Sequence, residues 1–328
     1  MKRWLFPLVL LALMLTACAR QPDYDETTFF AMDTVMALRL YGAHDAQAKA
    51  VVQQINTLEK LLSVTLDDSE VARLNAGEAL TPSAELRTLL EKTCALSAQT
   101  QGCLDPTVYP IVRLWGFTGG DYRVPTQQEI TAALSHVGVQ HIHAEGDTVS
   151  LDAGTQLDFG AVAKGYAAEL CAAQLAGTSG ILTLGGNVQT VGQKPDGTAW
   201  HIGITDPTQP EESIATLALT GTHAIVTSGE YQRFFEEDGI RYSHIMDPKT
   251  GASIQNTLAS VTVVADSGFL ADGLSTALYV MGLDEATRFW KSRADFEVIF
   301  ITDQGELYVS EGLEDAFSCQ TPYQVIHR

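Results

Sequence analysis

"LDFGAVAKGYAAEL", residues 157–170, joins a strand-like apolar run to a helix whose apolar residues share one face. The spacing predicts that this helix begins near Gly160–Ala161. Asp158 and Lys164 flank that start, where the first backbone N–H groups lack intrahelical partners and favour anions. Gly160 would allow a ligand to approach the backbone closely. The joint therefore predicts an anion-binding site, with a capping Asp and a solvent-exposed Lys as the alternative.

Outward from this joint, helix and strand patterns are interspersed along the chain. Apolar residues at helical spacing predict helices over 45–63, 83–100, 126–138, 269–282 and 284–293. Alternating apolar residues predict strands over 34–42, 148–152, 180–186, 199–206, 213–221, 223–229 and 259–266, and a closing hairpin over 296–310. No repeat or linker interrupts this order. We therefore predict a single α+β domain over 29–316, with antiparallel sheets flanked by helices, and a C-terminal tail over 317–328.

The N-terminus has the features of a lipoprotein signal peptide. "MKRWLFPLVLLALMLTAC", residues 1–18, starts with basic residues and continues with an apolar run too short to cross a bilayer. The Leu15–Cys18 ending resembles the bacterial lipobox, in which the cysteine becomes acylated. We expect a lipid anchor at Cys18, a polar tether over 19–28, and a domain at the extracytoplasmic face of the cell membrane. An ordinary signal peptide with a chance cysteine is the alternative.

The charge of the chain limits its partners. It has 40 acidic and 20 basic residues, and removal of Lys2 and Arg3 with the signal peptide leaves 18 basic residues and a net charge of −22. No nucleic-acid partner is expected, because nucleic acids bind basic surfaces. A bound polyphosphate would need a metal ion or backbone donors. The other cysteines lack zinc-site spacing, and a Cys94–Cys103 disulfide and free thiols both remain open.

Two further segments place polar groups or glycines where a ligand could bind. "LTLGGNVQTVG" (182–192) has Gly185 and Gly186 at the end of a strand, although a β-bulge would also explain them. His244 directly precedes a turn over 247–251, which would present its ring to a cleft. The alternatives for His244 are a catalytic residue and a purely structural histidine.

The helix "ADGLSTAL" (271–278) places two oxygen-bearing side chains on one face. Asp272 and Thr276 are four residues apart, and a buried Asp needs a partner. A carboxylate with a hydroxyl suits a hard cation such as Mg²⁺. A capping Asp and a Thr bonded to its own helix are the alternative.

The ordered set of segments resembles the ApbE family of FAD:protein FMN transferases. The segments are "AMDT" (31–34), "DPTVYPIVRLWGF" (105–117), "LDFGAVAKGYAAE", "LGGNVQTVG", "VTSGEYQRFF" (226–235), "HIMDPKTG" (244–251) and "ADGLSTALYVMG". The match runs from about Phe29 to Leu307. It implies a T-fold-like α+β domain that binds FAD as substrate and Mg²⁺, or Mn²⁺, as cofactor. It also implies transfer of FMN through a phosphoester to a Thr or Ser of an acceptor protein, with release of AMP.

The resemblance implies roles for individual residues of this chain. His244 is the candidate general base on the acceptor hydroxyl. The implied metal ligands are the backbone carbonyl of Ala161 and the side chains of Asp272 and Thr276. The implied cofactor-binding positions are Met32, Thr65, Leu104, Asp105, Asp158, Lys164, Gly185, Gly186, Ser228 and Ile245. Asp33 stands where family members often have Gly, and Thr65 stands where they often have an aromatic ring.

The same binding residues would serve two other functions. One is an FAD-binding lipoprotein that carries or scavenges FAD, and the other is a metal-dependent FAD pyrophosphatase, in which water replaces the acceptor hydroxyl. The family expectation for the acceptor is a flavoprotein subunit of an extracytoplasmic redox pump or a flavin-carrying lipoprotein. A serine hydrolase built on Ser228 is not supported, because "VTSGE" lacks the GxSxG pattern.

Overall fold

The computed structural model describes residues 23–42 and 44–328. The predicted signal peptide, the predicted lipidation site at Cys18 and the first residues of the predicted tether lie outside these ranges. Within them, no helix combines the length and the apolar character needed to cross a membrane.

The strands of the described chain form one large sheet and three small ones. In chain order they are β1 (Tyr24–Ala31), β2 (Thr34–Tyr41), β3 (Ile142–Glu145), β4 (Thr148–Leu151), β5 (Gly180–Leu184), β6 (Asn187–Val191), β7 (Trp200–Asp206), β8 (Gln209–Leu219), β9 (Ala224–Gly229), β10 (Phe234–Glu237), β11 (Ile240–Ser243), β12 (Leu258–Ala265), β13 (Phe296–Thr302), β14 (Leu307–Ser310), β15 (Phe317–Cys319) and β16 (Tyr323–Ile326). The large sheet has the order β1-β2-β5-β6-β9-β12-β13-β14-β16. Its neighbouring strands are antiparallel except β14 and β16, which are parallel.

The described chain has eight α-helices, of which all but the fourth and fifth form the main core with one face of the large sheet. They are α1 (Asp45–Leu62), α2 (Glu70–Asn75), α3 (Ala84–Gln99), α4 (Tyr109–Leu114), α5 (Gln127–Leu134), α6 (Ala163–Gln174), α7 (Gly268–Met281) and α8 (Leu283–Lys291). Strand β12 is buried along its whole length, since it lies in the middle of the sheet under α7. The fully buried Val263 and Leu274 belong to this core.

A three-stranded sheet in the order β15-β8-β7 covers the other face of the large sheet. Ile202 and Leu217 of the small sheet pack with Ile225 and Ile299 of the large one in a second hydrophobic cluster. The large sheet is therefore the middle layer of three. This arrangement confirms the prediction of an α+β domain with antiparallel sheets flanked by helices.

Both predicted ends of the domain need correction. Residues 24–28, predicted to belong to the tether, form part of β1, which pairs with β2 from Tyr24 to Ala31. The polar sequence "YDETT" is compatible with a strand because β1 is an exposed edge of the sheet, where charged side chains are common. Residues 317–319 and 323–326, predicted to be tail, pair with β8 and β14. Strands this short depend on tertiary pairing and give little periodic signal.

Candidate active site

One cleft of about 860 Å³ collects every residue to which the sequence assigned a role in catalysis, cofactor binding or metal binding. Its lining includes Met32, Thr65, Leu104, Asp105, Asp158, Ala161, Lys164, Gly185, Gly186, Ser228, His244, Ile245, Asp272 and Thr276. The volume lies within the range of about 300–1,000 Å³ that is usual for ligand sites. The sequence therefore predicted the members of the site, although their individual roles stay predictions.

The turn between β1 and β2 forms one wall of the cleft. Met32 and Asp33 are the two turn residues, and both have left-handed backbone conformations, with φ of 48° and 56°. This combination is that of a type I′ hairpin turn, which favours Gly or Asn/Asp. The Met32 N–H donates to Glu59 Oε1 at 2.8 Å, which holds the turn in place. Asp33 is thus tolerated by the backbone and adds a carboxylate to the cleft.

The turn between β5 and β6 forms a second wall. Gly185 and Gly186 are the two residues between the paired Leu184 and Asn187, so they close a tight hairpin and do not form a β-bulge. Gly185 has φ of +62°, and a Cβ there would lie 2.9 Å from Thr34 Oγ1. The absence of a side chain therefore lets the two turns approach each other at the cleft.

The start of α6 differs from the sequence prediction. The helix begins at Ala163 rather than near Gly160–Ala161, after a tight turn in which the Ala163 N–H donates to the Phe159 carbonyl at 2.7 Å. The Gly165 N–H donates to Asp272 Oδ2 at 2.7 Å. The helix N-terminus is therefore less open than predicted, because the Gly160, Ala163 and Gly165 N–H groups already have acceptors in the protein. The anion site at this joint stays a prediction.

The contact between Gly165 and Asp272 also frees a carbonyl. In a continuous helix the Gly165 N–H would donate to the Ala161 carbonyl four residues earlier. Among the described residues, no donor forms a hydrogen bond with that carbonyl. Ala161 lines the cleft, so its oxygen is available to a ligand.

Asp272 is a buried carboxylate surrounded by oxygen-bearing side chains. It is 4% exposed, and burial raises its pKa, while the Lys164 ammonium and the Gly165 N–H lower it. Thr276 is one helical turn away, and its Oγ1 lies 3.3 Å from Ser228 Oγ. One carboxylate, hydroxyls and a free carbonyl are the donors that a hard divalent cation prefers. The residues predicted to bind Mg²⁺ therefore fit such an ion.

Asp158 and Lys164 lie on either side of the tight turn. Asp158 Oδ1 accepts the Gly160 N–H at 2.6 Å, and burial raises the Asp158 pKa although Lys164 and Arg233 lower it. Lys164 Nζ is 3.4 Å from the Gly160 carbonyl, so its ammonium lies over the turn. Asp158 therefore does not cap the helix, which has no side-chain cap, but it closes the preceding turn and lines the cleft.

His244 is held with one ring nitrogen towards the backbone. Nδ1 lies 3.1 Å from the Arg233 carbonyl oxygen, which can only accept, so Nδ1 carries the proton and Nε2 keeps its lone pair. Burial, together with the charges of Lys164 and Arg233, lowers the His244 pKa to about 4 against the opposing hydrogen bond to the Arg233 carbonyl. The Phe117 ring packs edge-on against the imidazole. The imidazole is therefore neutral at pH 7 and can accept a proton.

The far wall of the cleft is partly apolar. Leu104 and Ile245 are buried there, and Asp105 is fixed by the Thr107 N–H and hydroxyl at 2.8 and 2.6 Å. Burial raises the Asp105 pKa, although these hydrogen bonds lower it. Thr65 reaches the cleft from the loop after α1, where its hydroxyl lies 3.1 Å from Ser63 Oγ.

Several residues that build the site are not indicated by any pattern in the sequence. A Cβ on Gly165 would lie 2.1 Å from the Gly268 carbonyl oxygen, so these two glycines allow α6 and α7 to cross closely. Arg233 holds His244, and Asn187 lies in the cleft wall. The glycines are recognisable only once the helix crossing is known, whereas Arg233 lies inside the quoted segment "VTSGEYQRFF".

Comparison with known proteins decides the family. The ApbE family model matches residues 32–300. The chain belongs to the ApbE family. Its relatives include an FAD:protein FMN transferase of Vibrio cholerae, which is 35% identical over 86% of this chain and 88% of the relative. An FAD:protein FMN transferase of Escherichia coli K12 is 32% identical over 80% of this chain and 79% of the relative.

Solved ApbE structures share the fold. The ApbE protein of Thermotoga maritima matches with a TM-score of 0.84 at 30% identity, over 90% of this chain and 99% of that one. The flavinyl transferase ApbE of Pseudomonas stutzeri matches with a TM-score of 0.80 at 31% identity, over 91% and 98%. The family, the fold class and the prediction of an enzyme are thereby confirmed for this ApbE chain.

Proposed function

We propose that this ApbE chain transfers FMN from FAD to a Ser or Thr hydroxyl of an acceptor protein and releases AMP. The observation that carries the proposal is the single cleft, which brings a neutral imidazole, an ammonium and a buried carboxylate next to one another. The relatives named FAD:protein FMN transferases support it.

The reaction would proceed by displacement at phosphorus. The acceptor hydroxyl oxygen forms a bond to the phosphorus of the FMN half of FAD, and the bond from this phosphorus to the oxygen of the AMP phosphate breaks. His244 Nε2 accepts the hydroxyl proton, since its lone pair is free and the ring is neutral. AMP leaves with the bonding electron pair. Alignment and charge neutralisation are the main demands of such a transfer.

Lys164 and Arg233 are the basic side chains placed to neutralise the pyrophosphate in an otherwise acidic protein. Ala161, Asp272 and Thr276 would hold Mg²⁺ or Mn²⁺ through three oxygens. The ion would supply positive charge to the pyrophosphate oxygens. The Asp272 carboxylate would also gain the countercharge that its burial requires.

The place of the enzyme in the cell is part of the same proposal. Lipidation at Cys18 would hold the domain at the extracytoplasmic face of the membrane. A flavoprotein subunit of a redox pump or a flavin-carrying lipoprotein on that face would be the acceptor. The sequence of residues 1–18 supports this placement.

The test mixes the purified full-length chain, in detergent, with FAD, Mg²⁺ and the extracytoplasmic domain of a candidate acceptor from the same cell. Flavin fluorescence that stays on the acceptor band in a denaturing gel, together with equimolar AMP, is the expected result. Replacement of the acceptor Ser or Thr by Ala should abolish the label.

Other products would identify the alternatives. Free FMN and AMP with an unlabelled acceptor would indicate an FAD pyrophosphatase. Intact FAD bound to the protein would indicate a carrier. Either result, obtained with several candidate acceptors, would contradict the transferase.

A further inference from the structure

Asn187 is a buried polar residue in the cleft wall with an unused donor. Its side chain is 3% exposed, and among the described residues no acceptor lies in hydrogen-bonding geometry to Nδ2. The amide faces Asp272, and hydrogen bonding from it lowers the pKa of that carboxyl, although Nδ2 and the carboxylate do not reach hydrogen-bonding geometry. An amide nitrogen carries two N–H groups, so at least one remains for a ligand even if the other bonds Asp272. Buried polar groups in folded proteins almost always have a hydrogen-bond partner. A buried donor without a protein acceptor beside a cleft therefore indicates that a ligand supplies the acceptor.

The position of Asn187 on the backbone is fixed. It is the first residue of β6, directly after the Gly185–Gly186 turn, and it pairs with Leu184 on one side and Val226 on the other. Asp272 is the protein acceptor within reach of the side chain, and it would use one of the two N–H groups. Because Gly186 has no side chain, a ligand can lie against the turn beside the amide.

We propose that Asn187 Nδ2 donates a hydrogen bond to a pyrophosphate oxygen of the dinucleotide. The identity of this ligand rests on the proposed function. Pyrophosphate oxygens only accept, and they would lie where Lys164 and Asp272 meet, which is where Asn187 is found. The amide contributes a neutral donor there and leaves the charge of the site unchanged.

A different role for Asn187 would be to orient Asp272 alone. The two roles predict different effects on FAD affinity when metal ions are absent. If Asn187 contacts the pyrophosphate, its loss weakens FAD binding even in EDTA. If it only orients Asp272 for a cation, FAD binding in EDTA does not change.

Asn187→Leu is the test variant, because it has nearly the same shape and no donor. Gln189→Met is the matched control, since Gln189 is a 1% exposed amide on the same face of β6 that does not line the cleft. Dissociation constants for FAD and for riboflavin, which lacks the pyrophosphate, are measured in EDTA with the full chain. Thermal unfolding of the ligand-free proteins is measured in parallel.

For Asn187→Leu we expect FAD binding to weaken at least tenfold, riboflavin binding to stay within twofold, and the unfolding temperature to stay equal or rise. The rise would follow from removal of a buried donor without a partner. Gln189→Met should leave FAD affinity unchanged. Unchanged FAD affinity in Asn187→Leu would overturn the proposal, as would an equal loss of FAD and riboflavin affinity with a lower unfolding temperature. Failure of the wild type to label any acceptor would contradict the transferase and leave these binding results interpretable.

Discussion

The Gly165 N–H donates to Asp272 Oδ2 at 2.7 Å, although the two residues are 107 positions apart in the sequence. This one hydrogen bond fixes a carboxylate of α7 on the first turn of α6. It also removes the donor that would otherwise occupy the Ala161 carbonyl. Two groups proposed to bind the cation are therefore positioned by the same contact.

Gly165→Ala should damage both the fold and the site. The new Cβ would lie 2.1 Å from the Gly268 carbonyl oxygen and 2.4 Å from Asp272 Cβ, so α6 and α7 must separate. We expect a loss of about 2 kcal/mol in the free energy of unfolding, which urea denaturation would measure. Metal-dependent turnover should fall as well, because Asp272 loses its hydrogen bond.

Gly268→Ala provides the matched comparison for that prediction. Its Cβ would lie 2.4 Å from the Gly165 carbonyl oxygen, so both substitutions open the same helix crossing. The double variant should therefore lose less stability than the sum of the losses in the two single variants. Fully additive losses would mean that the crossing is not their shared cause.

Asp272→Asn should abolish metal-dependent turnover and preserve the fold. The amide oxygen can still accept the Gly165 N–H, but it has no charge for a divalent cation. We expect turnover to fall at least about 100-fold at saturating Mg²⁺ and stability to stay equal or increase, since a buried carboxylate is removed. Asp147→Asn is the control, because that side chain is 92% exposed. Wild-type Mg²⁺ dependence in Asp272→Asn would remove the proposed metal site.

His244→Ala should separate binding from transfer. FAD affinity should stay within about twofold, while acceptor labelling should fall about 100-fold or more, as for other general bases. His223→Ala, outside the cleft, should label at the wild-type rate. Equal losses in FAD binding and labelling for His244→Ala would indicate a structural role instead.

The low pKa of His244 also predicts the pH dependence of transfer. Burial lowers this pKa from the usual 6.5 to about 4, so the base stays neutral as the pH falls through 6.5. We expect kcat/KM for the acceptor to be constant between pH 8 and about pH 5 and to fall only nearer pH 4. The stability contributed by the neutral ring is lost earlier, as the pH falls from about 6.5 to about 4, because the unfolded chain binds the proton at the higher pH. An inflection near pH 6.5 in the pH profile of kcat/KM would show that the His244 imidazole is exposed to solvent.

Two substitutions of Asp33 should distinguish the effect of its left-handed backbone conformation from the effect of its charge. Asp33→Gly suits the left-handed φ of 56° and removes a carboxylate from the cleft, whereas Asp33→Asn removes only the charge. We expect both variants to bind FAD more tightly, by about twofold for one weakened charge repulsion across water. Only the glycine should raise the unfolding temperature. Weaker FAD binding in Asp33→Asn would show instead that the carboxylate contacts the ligand.

The sequence determined the fold class through its patterns, and most members of the cleft through the resemblance of its motifs to the ApbE family. Periodicity placed the central strands and the long helices, because these elements bury one continuous apolar face and repeat that signal over many residues. Ordered local motifs identified His244, Asp158 and Asp272 because their chemistry is carried by the residue types themselves. The short strands at Phe317–Cys319 and Tyr323–Ile326 carried no such signal.

Only the tertiary structure decided how the parts meet. The sequence predicted a free helix N-terminus at "LDFGAVAKGYAAEL", but the donor of Gly165 belongs to Asp272, and the carbonyl of Ala161 is left free. The unused amide of Asn187 likewise becomes visible only when its neighbours are known. Hydrogen-bond satisfaction depends on atoms brought together from distant parts of the chain. A local pattern cannot contain that information, because it lists the donors of a segment without the acceptors that will face them.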